Sequence, residues 1–279
     1  MSQPLSAHGV LDDVRAALAK GLPDDVAPWA IFDADGTLWS GDIGLAAFAA
    51  QPAAGLLDDA LQGPLAGWCA AHGLDDDGRA DDMDVRGLHA RVLDAIDSGR
   101  LLDVGRAAGR DDDDVLGEVY ALHAWLYAGQ AVTEVEAHGV KAFRTDIAAG
   151  VFASTAVLFE GLEAAGVRTV IISASPELIV RGGAVELGLP AGRALGMSTT
   201  NDGAVVGREV PRIVHGPGKV EVLREVLPDQ RPLLAFGDSA AGGDRELLDL
   251  AQMPVAVAPR GRHLDRARAA GFRQLDPHA

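Results

Sequence analysis

The sequence predicts an α/β fold: a Rossmann-like parallel sheet whose chain is interrupted by a separate helical unit. Three observations lead there. After the first half of the chain, short apolar, β-branched runs alternate with segments of helical spacing, the pattern of strands joined by crossover helices. Between residues 43 and 144 no convincing strand occurs; alanine, leucine and charged residues recur at helical spacing, broken by Pro52, Pro64, Gly73 and Gly105. The length of 279 residues, at roughly 150 residues per domain, allows two units. We therefore expect a core domain from residues 1–43 and 147–279 and a helical domain, residues 44–146, inserted into it.

In chain order, Leu11, Val14, Ala17 and Leu18 share one face of a helix over residues 11–20, which Gly21 and Pro23 end. Residues 29–32 read as a short buried strand. Beyond the helical unit come a helix over residues 155–165, a β-branched strand over 168–172 and a helix over 177–187. Residues 194–199 and 204–210 flank Asn201-Asp202-Gly203, a turn signal that predicts a hairpin. A helix over 219–226, a strand over 232–236, a helix over 245–251 and a last strand over 254–257 complete the alternation.

Apolar residues make up 48% and charged residues 23%, so neither disorder nor a fibrous repeat is a sensible reading. The net charge of −17 repels phosphate backbones and anionic headgroups, which argues against nucleic acid and membrane surfaces as partners. An anionic substrate needs a local reversal of that field. Cys69 is the sole cysteine, so neither an intrachain disulfide nor a thiolate metal cluster can form. No basic-then-apolar leader stands at the N-terminus, and no apolar run approaches the roughly 18 residues of a membrane span. A soluble, cytoplasmic protein is the expectation. The acidic clusters at residues 75–77, 81–84 and 111–114 read as solvated loops or helix starts. A calcium loop fails there, because placing Gly78 at its sixth position puts Gly73 at its first.

Asp33-Ala34-Asp35-Gly36-Thr37-Leu38 follows the first strand. Residues two apart in an extended segment point the same way, so both acids can face one cleft. Like charges so close need a cation or a bound proton. Seen alone, the segment also fits an Asp- and Gly-rich turn. Ser173 ends the second strand with a hydroxyl free to meet a ligand, and Ser175, followed by Pro176, reads as a helix N-cap. Lys219 is one of only three lysines and begins a helix, where a cation opposes the macrodipole and so invites an anion. Gly237-Asp238-Ser239 ends the next strand, with Asp244 six residues beyond Asp238. Acid pair, hydroxyl, lysine and acid all fall at the carboxyl ends of predicted parallel strands or just after them, where open α/β sheets bind ligands.

With these residues in place the sequence resembles the haloacid dehalogenase superfamily, and within it the phosphoserine phosphatase-like group. Asp33, Asp35, Gly36 and Thr37 match its first motif, Ser173 its second, Lys219 its third and Gly237-Asp238-Ser239 its fourth. The resemblance covers roughly residues 28–43 and 147–260, and the helical insert stands where that group carries its C1 cap. One departure concerns the fourth motif, in which five residues separate Asp238 from Asp244, where three or four are usual.

The resemblance implies a Mg²⁺-dependent phosphomonoesterase for a small phosphorylated metabolite, either phosphoserine or another amino-alcohol phosphate such as phosphocholine or phosphoethanolamine. Asp33 would attack phosphorus and Asp35 would serve as acid and then base. Ser173 and Lys219 would bind phosphoryl oxygens, with Thr37 fixing the loop. Asp33, the Asp35 backbone carbonyl and Asp238 would hold the metal, and Asp244 would complete that set if its longer loop allows. In the cap, Asp42 stands where the group binds a substrate ammonium; an exposed acid at a helix start is the plain alternative. Arg86 and Arg91 could meet a carboxylate, and Tyr120, His123 and Tyr127 fall on one helical face that could cage a quaternary ammonium. Ordinary surface and packing roles are the alternatives for all five. Phosphotransfer to another acceptor, as in a phosphomutase, and a catalytically silent binding module are the competing functions; a dehalogenase needs neither Asp35 nor a metal.

Overall fold

In the computed structural model, which describes residues 4–75 and 78–279, six strands form one parallel sheet. They are β1 (Val26–Phe32), β2 (Arg168–Pro176), β3 (Ala194–Met197), β4 (Arg231–Gly237), β5 (Met253–Val257) and β6 (Arg273–Leu275), in the order β3-β2-β1-β4-β5-β6. The helices are α1 (Ala7–Lys20), α2 (Ile43–Ala50), α3 (Gln62–Ala71), α4 (Val85–Asp97), α5 (Arg100–Ala107), α6 (Asp112–Trp125), α7 (Val132–Ala142), α8 (Ala153–Ala164), α9 (Glu177–Glu186), α10 (Pro217–Val226), α11 (Arg245–Leu250) and α12 (Gly261–Ala269).

The strands read as unbroken apolar runs because both faces of the sheet are covered. Ala30, Phe32, Ile171, Leu234, Phe236, Val255 and Val257 point to one side, into a core shared with α1, α8 and α9. Ile31, Val170, Ile172, Ala235 and Ala256 alternate with them and meet α10, α11 and α12 on the other. Phe32 and Phe236 are partners across β1 and β4 and stack with centroids 4.1 Å apart.

The inserted helices have a core of their own, in which Leu65, Cys69, Leu88, Val92, Val119 and Leu122 take part. The insert is anchored through α2 and α7, whose Ile43, Ala47, Val135 and Ala142 join the sheet's core. Helices α7 and α9 meet backbone to backbone: a Cβ on Gly139 would stand 2.6 Å from the Ile179 carbonyl oxygen. The outgoing and returning chain segments also pair, with the Ser40 N–H donating to Gly150 O at 2.8 Å and the Phe152 N–H to Leu38 O at 3.0 Å.

Three expectations meet the structure differently. The hairpin does not form. Asn201 and Asp202 do make the turn, accepting from the N–H groups of Gly203 at 3.1 Å and Ala204 at 3.0 Å. Its first arm, however, is β3, which pairs in parallel with β2, and its second arm makes only isolated bridges. α12 and β6 are additional elements. The acidic clusters start helices as expected where they are described: Asp84 and Asp111 are the N-caps of α4 and α6, with Asp112, Asp113 and Asp114 in the first turn of α6. Residues 76 and 77 of the first cluster lie outside the described residues.

Candidate functional site

The chain builds its sheet outward from β1 in one direction through β2 and β3 and in the other through β4, β5 and β6. The carboxyl ends of β1 and β4 therefore flank the point of reversal, where such sheets bind ligands. Asp33 stands there because the β1–β4 ladder continues one step past the strand, its N–H donating to Phe236 O at 2.9 Å. The chain then turns sharply, with the N–H groups of Thr37 and Leu38 both donating to Ala34 O. Gly36 sits in that turn at φ +76°, and a Cβ there would lie 2.5 Å from Asp238 Oδ2, so both backbone and space require glycine.

Around this turn lies a cavity of about 410 Å³, lined by Asp33, Asp35, Ser173, Lys219, Asp238 and Asp244, among others. The Lys219 ammonium donates to Asp33 Oδ1 and to Asp244 Oδ1, both at 2.6 Å, and all three side chains are buried. The Thr37 hydroxyl donates to Asp33 Oδ2 at 3.3 Å. Asp244 is therefore part of the site despite its longer loop. The loop folds back so that the backbone N–H and hydroxyl of Ser239 both donate to Asp244 Oδ2, at 3.0 and 2.7 Å.

The two acids of the first motif share the cavity but turn to different partners. Asp35 Oδ1 accepts from Trp39 Nε1 and the Ile43 N–H, each at 2.8 Å, and its Oδ2 accepts from the Ser175 hydroxyl at 2.8 Å. This corrects the reading of Ser175 as a helix cap: Ser175 belongs to β2, and Pro176, which has no capping side chain, occupies the N-cap of α9. Ser173 is buried and its Oγ accepts from the Ser175 N–H at 3.1 Å, which leaves its own hydroxyl hydrogen available.

Burial pushes Asp33 up to about 7, with the charge of Asp244 adding and that of Lys219 opposing. Asp35 is likewise pushed up to about 7 by burial and by Asp42, and Asp238 to about 8 by burial, Asp33 and Asp244. Burial works against the Lys219 ammonium, but Asp244 and Asp33 outweigh it and hold it charged. Burial also opposes ionisation of Asp244, yet Lys219 and Ser239 keep it below the usual carboxylate range.

Asp33, Asp238 and Asp244 each bring a carboxylate oxygen within 4.8 Å of the others. Lys219 offsets only part of that charge, and burial, with the neighbouring acids adding to it, raises Asp33 and Asp238. An all-oxygen donor set of this charge fits a hard divalent cation such as Mg²⁺. The Asp35 carboxylate is turned away from that group, so only its backbone carbonyl is left for such a role.

The helical side supplies Asp42, Tyr120, Leu116 and Asp113 to the same cavity. Asp42 is both the N-cap of α2, accepting from the Leu45 N–H at 2.8 Å, and a half-buried wall residue that burial pushes above its ordinary value. Tyr120 leans on the His215 ring, with centroids 5.7 Å apart. The aromatic cage that the spacing allowed does not form, and the plain packing alternative holds for His123 and Tyr127. His123 is buried and stacks on Phe48 at 4.3 Å, while Tyr127 is buried and lines a separate cavity with Val132, Pro176 and Met197. Helix α6 ends at Trp125, so Tyr127 leaves the shared face, and of the three rings only Tyr120 lines the site. Nor does the structure bring the two arginines to it. Arg86 is exposed and donates to Pro52 O at 2.9 Å, and Arg91 donates to Leu74 O at 2.9 Å.

Sequence reasoning missed Ser239, His215, Asp113, Arg262 and His263, all of which line the cavity. Ser239 stood inside the quoted fourth motif and His215 four residues before Lys219, and those places were the available signal. Asp113 and the α12 pair carried none.

No family model matches the chain. The protein CicA of Caulobacter vibrioides is 34% identical over 125 residues, 44% of this chain and 55% of CicA. The chain thus spans about half the length of the curated relatives it matches. Solved structures extend the likeness at the level of fold. A conserved protein of unknown function from Anaerococcus prevotii matches with a TM-score of 0.61 at 16% identity, over 98% of this chain and 93% of that one. A protein of unknown function from Bordetella pertussis matches at 0.57 and 18%, over 89% and 98%. A HAD family hydrolase from Salmonella enterica serovar Typhi matches at 0.54 and 13%, over 96% and 76%. The chain is a distant homologue of CicA and, across nearly its whole length, has the fold of the HAD-family hydrolases.

Proposed function

We infer that the chain is a Mg²⁺-dependent phosphomonoesterase acting on a small phosphorylated metabolite through an aspartyl-phosphate on Asp33. The supporting observation is the Lys219 ammonium, 2.6 Å from both Asp33 and Asp244, with Asp238 completing a buried acid group at the carboxyl edge of β1 and β4. Residues 1–43 and 147–279 form the catalytic core in this reading, and residues 44–146 form the cap over it.

Asp33 attacks phosphorus as the bond to the leaving alkoxide breaks, so one hard displacement becomes two easier ones. Asp35 gives its proton to that alkoxide. It then takes a proton from water as the water attacks the phosphorus of the aspartyl-phosphate, which releases phosphate and restores Asp33. An acid pushed up to about 7 suits both directions of that exchange near neutral pH. Lys219 and Ser173 hold phosphoryl oxygens, and Thr37 steadies the Asp33 carboxylate. A magnesium ion held by Asp33, Asp238 and Asp244 would offset the charge that otherwise keeps a phosphate dianion out of this nest of acids.

Turnover of p-nitrophenyl phosphate with Mg²⁺ and with chelator tests the reading. Hydrolysis that requires the metal is the expected result. No hydrolysis of this or any phosphorylated metabolite in a screen would leave a binding module as the better account.

A further inference from the structure

The fourth strand-end loop is lengthened by two glycines, Gly242 and Gly243, and the structure gives them different surroundings. A Cβ on Gly243 would lie 2.5 Å from the His215 ring, so that position is closed in. A Cβ on Gly242 would meet nothing nearer than His263 Cε1 at 3.5 Å, with Arg262 Nη2 and Asp113 Oδ1 each at 3.6 Å. It would project into a bay of the cavity framed by those three side chains.

The charges around this bay are mostly paired. Asp113 meets His215 at 3.3 Å, and Arg266, farther along α12, meets Asp249 at 2.7 Å. Arg262 differs. It lines the cavity that holds Asp33 and Lys219, is exposed at its mouth, and has no hydrogen-bond or ion-pair partner among the described residues. Its charge is felt by Asp112, without contact. Beside it, the His263 ring is held by the strand-end loop, its Nδ1 meeting the Ala241 N–H at 3.1 Å. On a chain of net charge −17, a guanidinium with no partner among the described residues, at the rim of an acid-walled cavity, marks the place where an anion can enter.

We propose that Arg262 is a specificity residue of this chain, taking a second anionic group, a carboxylate or a further phosphate, that the leaving group of the phosphomonoester carries into the bay beside Gly242. This rests on the phosphomonoesterase reading. A guanidinium fork binds either group through two parallel hydrogen bonds. Asp42 disfavours an anion toward α2, and Asp113, which borders the bay itself, is hydrogen-bonded to His215 at 3.3 Å, so Arg262 is the cation left to meet a second charge carried by a substrate whose phosphoryl group sits at Lys219.

The test compares glycerol phosphate, phosphoglycerate and glycerol bisphosphate as substrates of the full chain with Mg²⁺. The wild type should prefer at least one of the doubly anionic esters, and which one it prefers separates carboxylate from phosphate. Arg262→Ala should raise KM for the preferred ester by about tenfold or more while leaving glycerol phosphate within about twofold. Arg262→Lys should recover part of the loss, and Gly242→Val, which fills the bay, should reproduce it. No preference in the wild type, or equal changes for all three esters, overturns the proposal. Metal-dependent turnover of p-nitrophenyl phosphate alongside that result would show that this inference alone has failed; absence of such turnover removes the parent reading with it.

Discussion

The carboxyl edge of the sheet and the helical wall opposite it line one cavity, but they hold their side chains by different means. At the sheet edge, Asp33, Lys219 and Asp244 are buried and bonded directly to one another. Across from them, Asp42 and Tyr120 are half-buried, one placed by capping α2 and the other by leaning on His215. Groups locked into a shared charge network cannot change singly, whereas groups held by a cap or a ring contact can. In the proposed reading, the sheet edge carries the chemistry, and the helical wall and α12 carry recognition.

The sharpest break of that contrast is Asp33→Asn. The amide keeps the shape but cannot attack phosphorus, so turnover should fall by several orders of magnitude with the fold intact. A loss of less than about tenfold would remove Asp33 as nucleophile. Next comes Lys219→Ala, which deletes a buried charge-assisted contact of ~1.5 to 3 kcal/mol and should weaken inhibition by free phosphate roughly ten- to hundredfold. Unchanged inhibition together with unchanged turnover would place Lys219 outside the site.

Magnesium titrations then sort the acids. Asp238→Ala should need far more Mg²⁺ for half-maximal rate, and Asp244→Ala a smaller increase, of the ~10 to 100-fold kind that follows loss of a supporting group. An unshifted curve for Asp244→Ala would leave it only the task of holding Lys219.

Stability should follow pH in a set direction. Asp33 and Asp238 are raised to about 7 and about 8 in the fold, so their stabilising share is present below the ordinary carboxylate value and lost as pH rises through that window. Metal-free protein should therefore melt lower at about pH 8.5 than at about pH 5, and Mg²⁺ should raise Tm more at the higher pH. Equal gains at both would mean that the acid group does not bind the ion. The smallest effect belongs to Tyr127→Phe. Its buried hydroxyl has no partner among the described residues and lies outside the cavity that holds Asp33, so activity within about twofold and an unchanged or higher Tm are expected. A large activity loss would return Tyr127 to the substrate site.

The same contrast explains what was legible in the sequence. Strand ends are visible because a doubly covered strand is an apolar run that stops, and Asp33 and Asp238 stand just past such runs; at Ser173 the apolar run stops but β2 continues to Pro176, so the expected strand end came three residues early. Lys219 shows itself by its unfavourable place near a helix start. β6 is only three residues long and partly exposed, so it leaves no such run. The Asn201-Asp202-Gly203 turn was a true local signal, but β3 finds its partner in β2, a choice made by tertiary packing. Arg262 of α12 and Asp113 of α6 meet at the cavity beside Gly242, a juxtaposition that no local pattern encodes. The helical spacing of Tyr120, His123 and Tyr127 was only partly right, because α6 ends at Trp125 and leaves Tyr127 outside the helix, and periodicity does not say where a helix stops or how far a cavity reaches along it.

The most direct test of the central claim is an acid quench of the enzyme during turnover of a ³²P-labelled phosphomonoester, followed by mapping of the labelled peptide. A phosphoryl group on the peptide containing Asp33, absent from Asp33→Asn, is the result this account predicts. Turnover without retained label, or label on a peptide lacking Asp33, would contradict it.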